Sequence, residues 1–197
     1  MSRSLLLLAL LAMAPIARAE EPKKAEVDPA ALMKAMEEFA SPSPENRKLE
    51  PLAGKWTYTA RFFLDPSKSP MESNGTVERH WILGKRFLEE KYVGTGFDGK
   101  PGFEGRGVMG YDKGRKMFTS GWICNMCTAI STAQGTSDAE GKTFTLTRED
   151  YCPLRQKMVK GRDVIRIESD DKVVLEGYEI DGGQDRKTME IVSSRQK

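Results

Sequence analysis

One histidine, three cysteines and no apolar run of membrane length leave this chain of 197 residues with few of the groups that usually advertise chemistry. The lone histidine, His80, has no serine, cysteine or aspartate marked as its partner, so no nucleophilic triad can be read. No stretch approaches the roughly 20 consecutive apolar residues of a membrane helix, and no membrane span is expected. An excess of one charge is missing too. Lys and Arg number 31 against 29 Asp and Glu, and removing Arg3 and Arg18 with the leader described next makes the two counts equal. A neutral chain has no long-range field to gather a polyanion, so nucleic acid is not an expected partner. There is also no linker after residue 50, and a single domain large enough to bury a core is expected.

What is present begins with Arg3, an apolar run from Leu5 to Ile16, and Ala17-Arg18-Ala19, the small-residue ending a signal peptidase reads. Residues 1–19 are therefore expected to be a secretory signal peptide cleaved before Glu20, which makes the protein exported, periplasmic or extracellular. No cysteine follows the cleavage point, so no lipid anchor is expected there. Residues 20–48 read as a lead-in. EEPKKAEVDP lacks periodicity and is expected to be disordered; Asp28 and Pro29 open one amphipathic helix carrying Ala31, Leu32, Ala35, Met36 and Phe39; the prolines of SPSPENRK end it. That helix is expected to plug one end of the domain that follows.

From residue 49 to 197 the period changes to two. Ten strand-like runs are separated by turn clusters such as DPSKSP, LGK, YDKGRK, SDAEGK, ESDDK and DGGQDR. Tight turns make sequential strands antiparallel, since parallel pairing needs a crossover of a dozen or more residues. Alternation within the runs gives each strand one dry face. A meander this long buries that face and hides its edges by closing. The expected fold is mainly β: an antiparallel meander closed into a barrel of 8–10 strands, with one N-terminal α-helix.

Leu52-Ala53-Gly54-Lys55-Trp56 resembles the glycine-x-tryptophan opening of lipocalin-like (calycin) barrels. The segments PSPENRKLEPLAGKW, DPSKSPMESNGT, ILGKRFLEEKYVG, FEGRGVMGYD, SGWICNMCTAI and MEIVSSR together resemble the bacterial family called domain of unknown function 1579. The resemblance implies barrel closure by Trp56 packed against Arg195, and a guanidinium over an indole is worth roughly 0.5 to 2 kcal/mol. Relative to the family pattern, Asn46 stands where a histidine is usual, Cys124 and Cys127 where an aspartate and a glycine are usual, and Cys152 where an aspartate precedes Pro153.

Four readings of these cysteines stand open, the plainest being three unpaired thiols or an odd one used between chains. Pairing Ser137 with Thr143 across SDAEGK carries Cys127 next to Cys152, a placement that suits a disulfide. Cys124 and Cys127 form a CxxC pair, although no helix follows to activate it. A soft-metal site would take Cys124, Cys127 and Cys152, with Met126 beside them.

Among the other signals, Gly94 to Gly99 mimics a dinucleotide glycine loop, but KPGFEG follows it instead of a helix, so it reads as a turn. Asn74-Gly75-Thr76 is read as turn chemistry, and Glu89 and Glu90 face opposite sides of a strand. Trp81, Met109, Tyr111, Trp122 and Met126 are candidate ligand-lining residues. The leading expectation is a non-enzymatic exported barrel, without a cofactor, that holds a small apolar or amphipathic molecule. The alternatives are a periplasmic thiol-redox or soft-metal protein and, since some related barrels bind haem, a haem barrel using His80.

Overall fold

The computed structural model describes residues 28–96, 99–153 and 155–197. Residues 1–27 lie outside the described part, and with them the expected leader and disordered start. The chain forms two units, Met1–Glu37 and Glu38–Lys197. Helix α1 (Pro29–Ala40) begins in the first. Asp28 caps it as its residue type demands, its carboxylate accepting from the Ala30 amide at 3.0 Å. None of the helix residues is buried, and Leu32, Met33 and Met36 are all exposed.

In the second unit a four-residue helix, α2 (Pro44–Arg47), and a 3-10 turn at Glu50–Leu52 lead into ten strands. These are β1 (Gly54–Phe62), β2 (Met71–Ile82), β3 (Phe87–Thr95), β4 (Pro101–Asp112), β5 (Met117–Cys124), β6 (Ser131–Ser137), β7 (Thr143–Cys152), β8 (Lys157–Ser169), β9 (Lys172–Asp181) and β10 (Gln184–Arg195). Each pairs with its sequence neighbours, and β1 pairs with β10, so the meander closes into a barrel as expected. No helix among the described residues is long and apolar enough to cross a membrane.

One end of the barrel, called lower here, is sealed by the chain between α2 and β1. Leu49 and Leu52 are buried there in the same cluster as Trp56, Val77, Leu88, Phe118 and Phe144. Asn46 fixes this segment. It is buried, its Oδ1 accepts from the Ser43 amide at 2.8 Å, and its Nδ2 donates to the Arg86 carbonyl at 3.0 Å. The position thus ties the lead-in to the β2–β3 turn.

The expected closure of Trp56 by Arg195 is present. The two residues are direct partners in the β1–β10 ladder, and the guanidinium carbon sits 4.0 Å from the ring centroid. The Trp56 indole N–H donates to the Leu52 carbonyl at 3.0 Å, while Arg195 donates to the carbonyls of Ala53 and Pro51, each at 2.8 Å. Gly54 explains the glycine of the motif. Its φ of +121° suits only glycine, and a Cβ there would lie 2.5 Å from Arg195 Nη1.

The outer face carries a charged ladder across β8, β9 and β10. Glu176 accepts from Arg166 and from Lys187, each at 2.6 Å, and from the Tyr178 hydroxyl at 2.9 Å. The hydrogen bonds from Arg166 and Lys187 hold its carboxyl down at about 2. A lowered acid stabilises fully above its unfolded value of about 4.3 and loses that contribution as pH falls toward the folded value. Denaturant titrations at stepped pH should therefore show wild type losing stability between about pH 4.3 and 2, and Glu176→Gln flattening that limb. Parallel curves for the two proteins would contradict the assignment.

Candidate functional site: the upper lumen

Alternation fixes which side chains enter the barrel. Phe144, Ile165, Leu175, Ile191 and Ala60 stand opposite one another around five successive strands, and the full burial of Phe144 marks that face as inward. Toward the lower end this face is packed shut. Toward the upper end, where the turns 63–70, 125–130 and 182–183 lie, it is not. Inward-facing Ile165, Leu175, Met189 and Ile191 keep part of their surface accessible, as do Ser120, Trp122 and Ala133 across from them. The upper half is thus a lumen with one apolar wall.

Among the described residues charge enters this lumen in three clusters, one of which joins Glu179 on β9 to Arg186 on β10 and to Arg155 at the rim. On β7 and β8, Arg148 donates through Nε to both carboxylate oxygens of Asp163 at 3.1 Å and through Nη1 to Asp150 at 2.8 Å. Burial pushes the Asp163 carboxyl up, Arg148 pulls it the other way, and Asp150 adds to the rise. Midway down, Arg79 is 7 % exposed, donating from Nε to Glu90 at 3.0 Å and from Nη2 to the Tyr92 hydroxyl at 2.6 Å. Burial would strip the Arg79 charge, but Tyr92 and Glu90 outweigh it and the pKa is raised. Sequence reasoning missed all three clusters.

The five residues expected to line a ligand space do not form one group. Trp81 lies at the lower end and donates to Glu50 at 2.9 Å; Met109 is buried and Tyr111 packs on Phe118 with centroids 5.1 Å apart, so all three fill the closed half. Met126 is an exposed loop residue. Trp122 alone stands in the upper lumen, edge-on to Tyr92 at 5.3 Å and with its indole against Gly105. A Cβ at Gly105 would come within 2.4 Å of the indole. Gly105→Ala should displace Trp122, shift its emission, and cost about 1–3 kcal/mol in urea unfolding; an unchanged emission maximum would contradict the contact.

His80 does not face the lumen. Its strand neighbours Arg79 and Trp81 take the inward positions, and His80 points outward, half exposed, with Nε2 3.1 Å from Glu89. The haem barrel built on His80 is corrected accordingly, because strand parity places the imidazole on the outer wall.

The cysteines also depart from the leading expectation. All three are free thiols. Ser137 pairs with Phe144 instead of Thr143, and the β6–β7 ladder stops at Ala133↔Arg148, so Cys127 falls in the turn before β6 and is not carried to Cys152. Cys152 ends β7 opposite Lys157. The near neighbour of Cys127 is Cys124, with sulfurs 3.6 Å apart. Among the described residues no three of His, Cys, Asp and Glu converge as a metal site, which removes the three-cysteine centre. The glycine stretch is a turn, with the Gly96 amide donating to the Lys100 carbonyl at 2.8 Å and β4 following directly; Phe97 and Asp98 lie outside the described residues.

Residues 41–195 match the family described as "Protein of unknown function (DUF1579)". The chain belongs to this family. Among solved structures it is similar to Rv2717c from M. tuberculosis, 21% identical over 80% of this chain and 100% of that one, with a TM-score of 0.59, a likeness of fold. A designed fluorescence-activating β-barrel is 17% identical over 75% of this chain and 95% of its own, with a TM-score of 0.43. No curated protein matches. Within the DUF1579 region fall both strands of the Trp56–Arg195 seam, the lumen and all three cysteines.

Proposed function

We propose that this DUF1579 member is an exported barrel that holds a small amphipathic molecule in its upper lumen without transforming it. The supporting observation is the accessible inward surface of Ile165, Leu175, Met189 and Ile191. Apolar side chains that point into a barrel and still meet solvent lose contact on one side, and a ligand restores it. The Arg148, Asp150 and Asp163 cluster gives the same space a polar end, which fits an amphipathic molecule better than a purely apolar one.

Export rests on the leader pattern of residues 1–19. Native mass spectrometry of protein purified from its own host reads both points at once: a mature chain beginning at Glu20 and a co-purifying small molecule. In vitro, Ala133→Phe should fill the lumen and weaken an anionic hydrophobic dye by about tenfold, or 1.4 kcal/mol. Equal dye affinity in wild type and Ala133→Phe, with both folded, would remove the lumen as the binding place.

A further inference from the structure

The turn between β5 and β6 presents two thiols side by side on a fixed scaffold. Cys124 Sγ lies 3.6 Å from Cys127 Sγ, and the Cys127 amide donates to the Cys124 carbonyl at 3.4 Å. Between them, Asn125 pins the turn to β4. Its amide donates to the Glu104 carbonyl at 3.0 Å, its Oδ1 accepts from the Glu104 amide at 3.1 Å, and its Nδ2 donates to the Gly102 carbonyl at 2.5 Å. Cys124 stands opposite Gly105, two positions after Trp122 on the same inward face, at the rim of the lumen. Cys127 is exposed and Cys124 is partly covered.

We propose that Cys124 and Cys127 are a reversible dithiol/disulfide couple at the lumen rim, whose exchange partners are small-molecule disulfides. The exposed Cys127 thiolate attacks one sulfur of the incoming disulfide, and the other sulfur leaves as a thiolate. Cys124, giving up its proton, then attacks Cys127 Sγ in the mixed disulfide and expels the second small thiol. Two protein thiols are oxidised, one small disulfide is reduced to two thiols, and the two cysteine protons end on those products. Closing the bond brings the sulfurs from 3.6 Å to about 2.05 Å. Two residues separate the cysteines, and neither sulfur needs to cross the barrel.

The order of attack follows from the surroundings. Burial pushes the Cys124 thiol up, with the Met126 amide and the Trp122 indole offsetting part of that by donating to its sulfur. With Cys127 exposed and Cys124 partly covered, an incoming disulfide meets Cys127 first, and Cys124 is the resolving thiol.

The test equilibrates the whole protein with mixtures of reduced and oxidised glutathione, quenches in acid, alkylates and maps the masses. The expected result is a species about 2 Da lighter than the reduced chain, with Cys124 and Cys127 joined and Cys152 alkylated at every ratio. Cys124→Ser should retain glutathione on Cys127, because nothing resolves the adduct, and Cys152→Ser should behave as wild type. Trp122 emission should follow the same titration, and that change should vanish in Trp122→Phe. A bond from Cys152 to either cysteine would overturn the proposal, as would disulfide formed only between chains or three alkylated thiols in excess oxidised glutathione. None of these outcomes depends on what the lumen binds.

Discussion

Trp56→Ala should unfold at markedly lower urea than the wild type, with a loss of about 3–5 kcal/mol read from the shift in midpoint at constant slope. Trp56 is 0 % exposed, so its removal opens a cavity at the sealed end where relaxation is most constrained. Three further contacts go with it: the indole donor to Leu52, the stacked guanidinium of Arg195, and the packing of Leu49 and Leu52. Trp56→Phe keeps most of the volume and loses the N–H, so it should sit between the two. A loss below 1 kcal/mol in the alanine variant would mean that the seam is held elsewhere.

The second large effect is expected at Glu90. Its carboxylate is the charged partner of Arg79, which is buried beneath it and has one guanidinium nitrogen, Nη1, without a hydrogen bond already. Glu90→Ala leaves that cation without a charged partner, with the Tyr92 hydroxyl and the faces of Trp56 and Tyr92 beside it. Breaking a buried pair from one side costs about 3–5 kcal/mol, and the lower end applies because the Glu90 side chain retains 30% exposure. The double variant Arg79→Met, Glu90→Leu removes both charges, and it should recover most of the loss. If the single and double variants are equally destabilised, packing of the methylenes on Gly107 is the dominant interaction and the charge is secondary.

The fold was legible where each residue type has one structural use. Turn clusters such as LGK and DPSKSP landed between strands, and Gly54-x-Trp56 located the seam with its partner Arg195. Legibility failed where both faces of a strand carry similar polarity. In Ser131–Ser137 the inward residues are serine, alanine and glycine and the outward ones threonine and glutamine, so no hydrophobic pattern sets the register and the hairpin was placed one residue off. The same ambiguity runs through the far half of β7, where Arg148, Asp150 and Cys152 point inward and Glu149 and Tyr151 outward. The charged lumen was hidden for a related reason, since an inward arginine or aspartate reads as an exposed one until its partner on another strand is known. His80 could have been placed by parity, because a residue adjacent to an inward tryptophan on a strand faces out.

The seam between β1 and β10 joins the two strands furthest apart in the chain, while every other ladder joins neighbours. Nine hairpins can therefore form locally, but the tenth contact closes a loop of 139 residues from Trp56 to Arg195. Its entropic cost is the largest of any ladder and is met only at the end. Until that ladder forms, β1 and the strand last added to the sheet stay open as unpaired edges. Removing β10 would leave two sticky edges on an otherwise complete sheet, and such a truncated chain should associate with copies of itself instead of remaining a monomer.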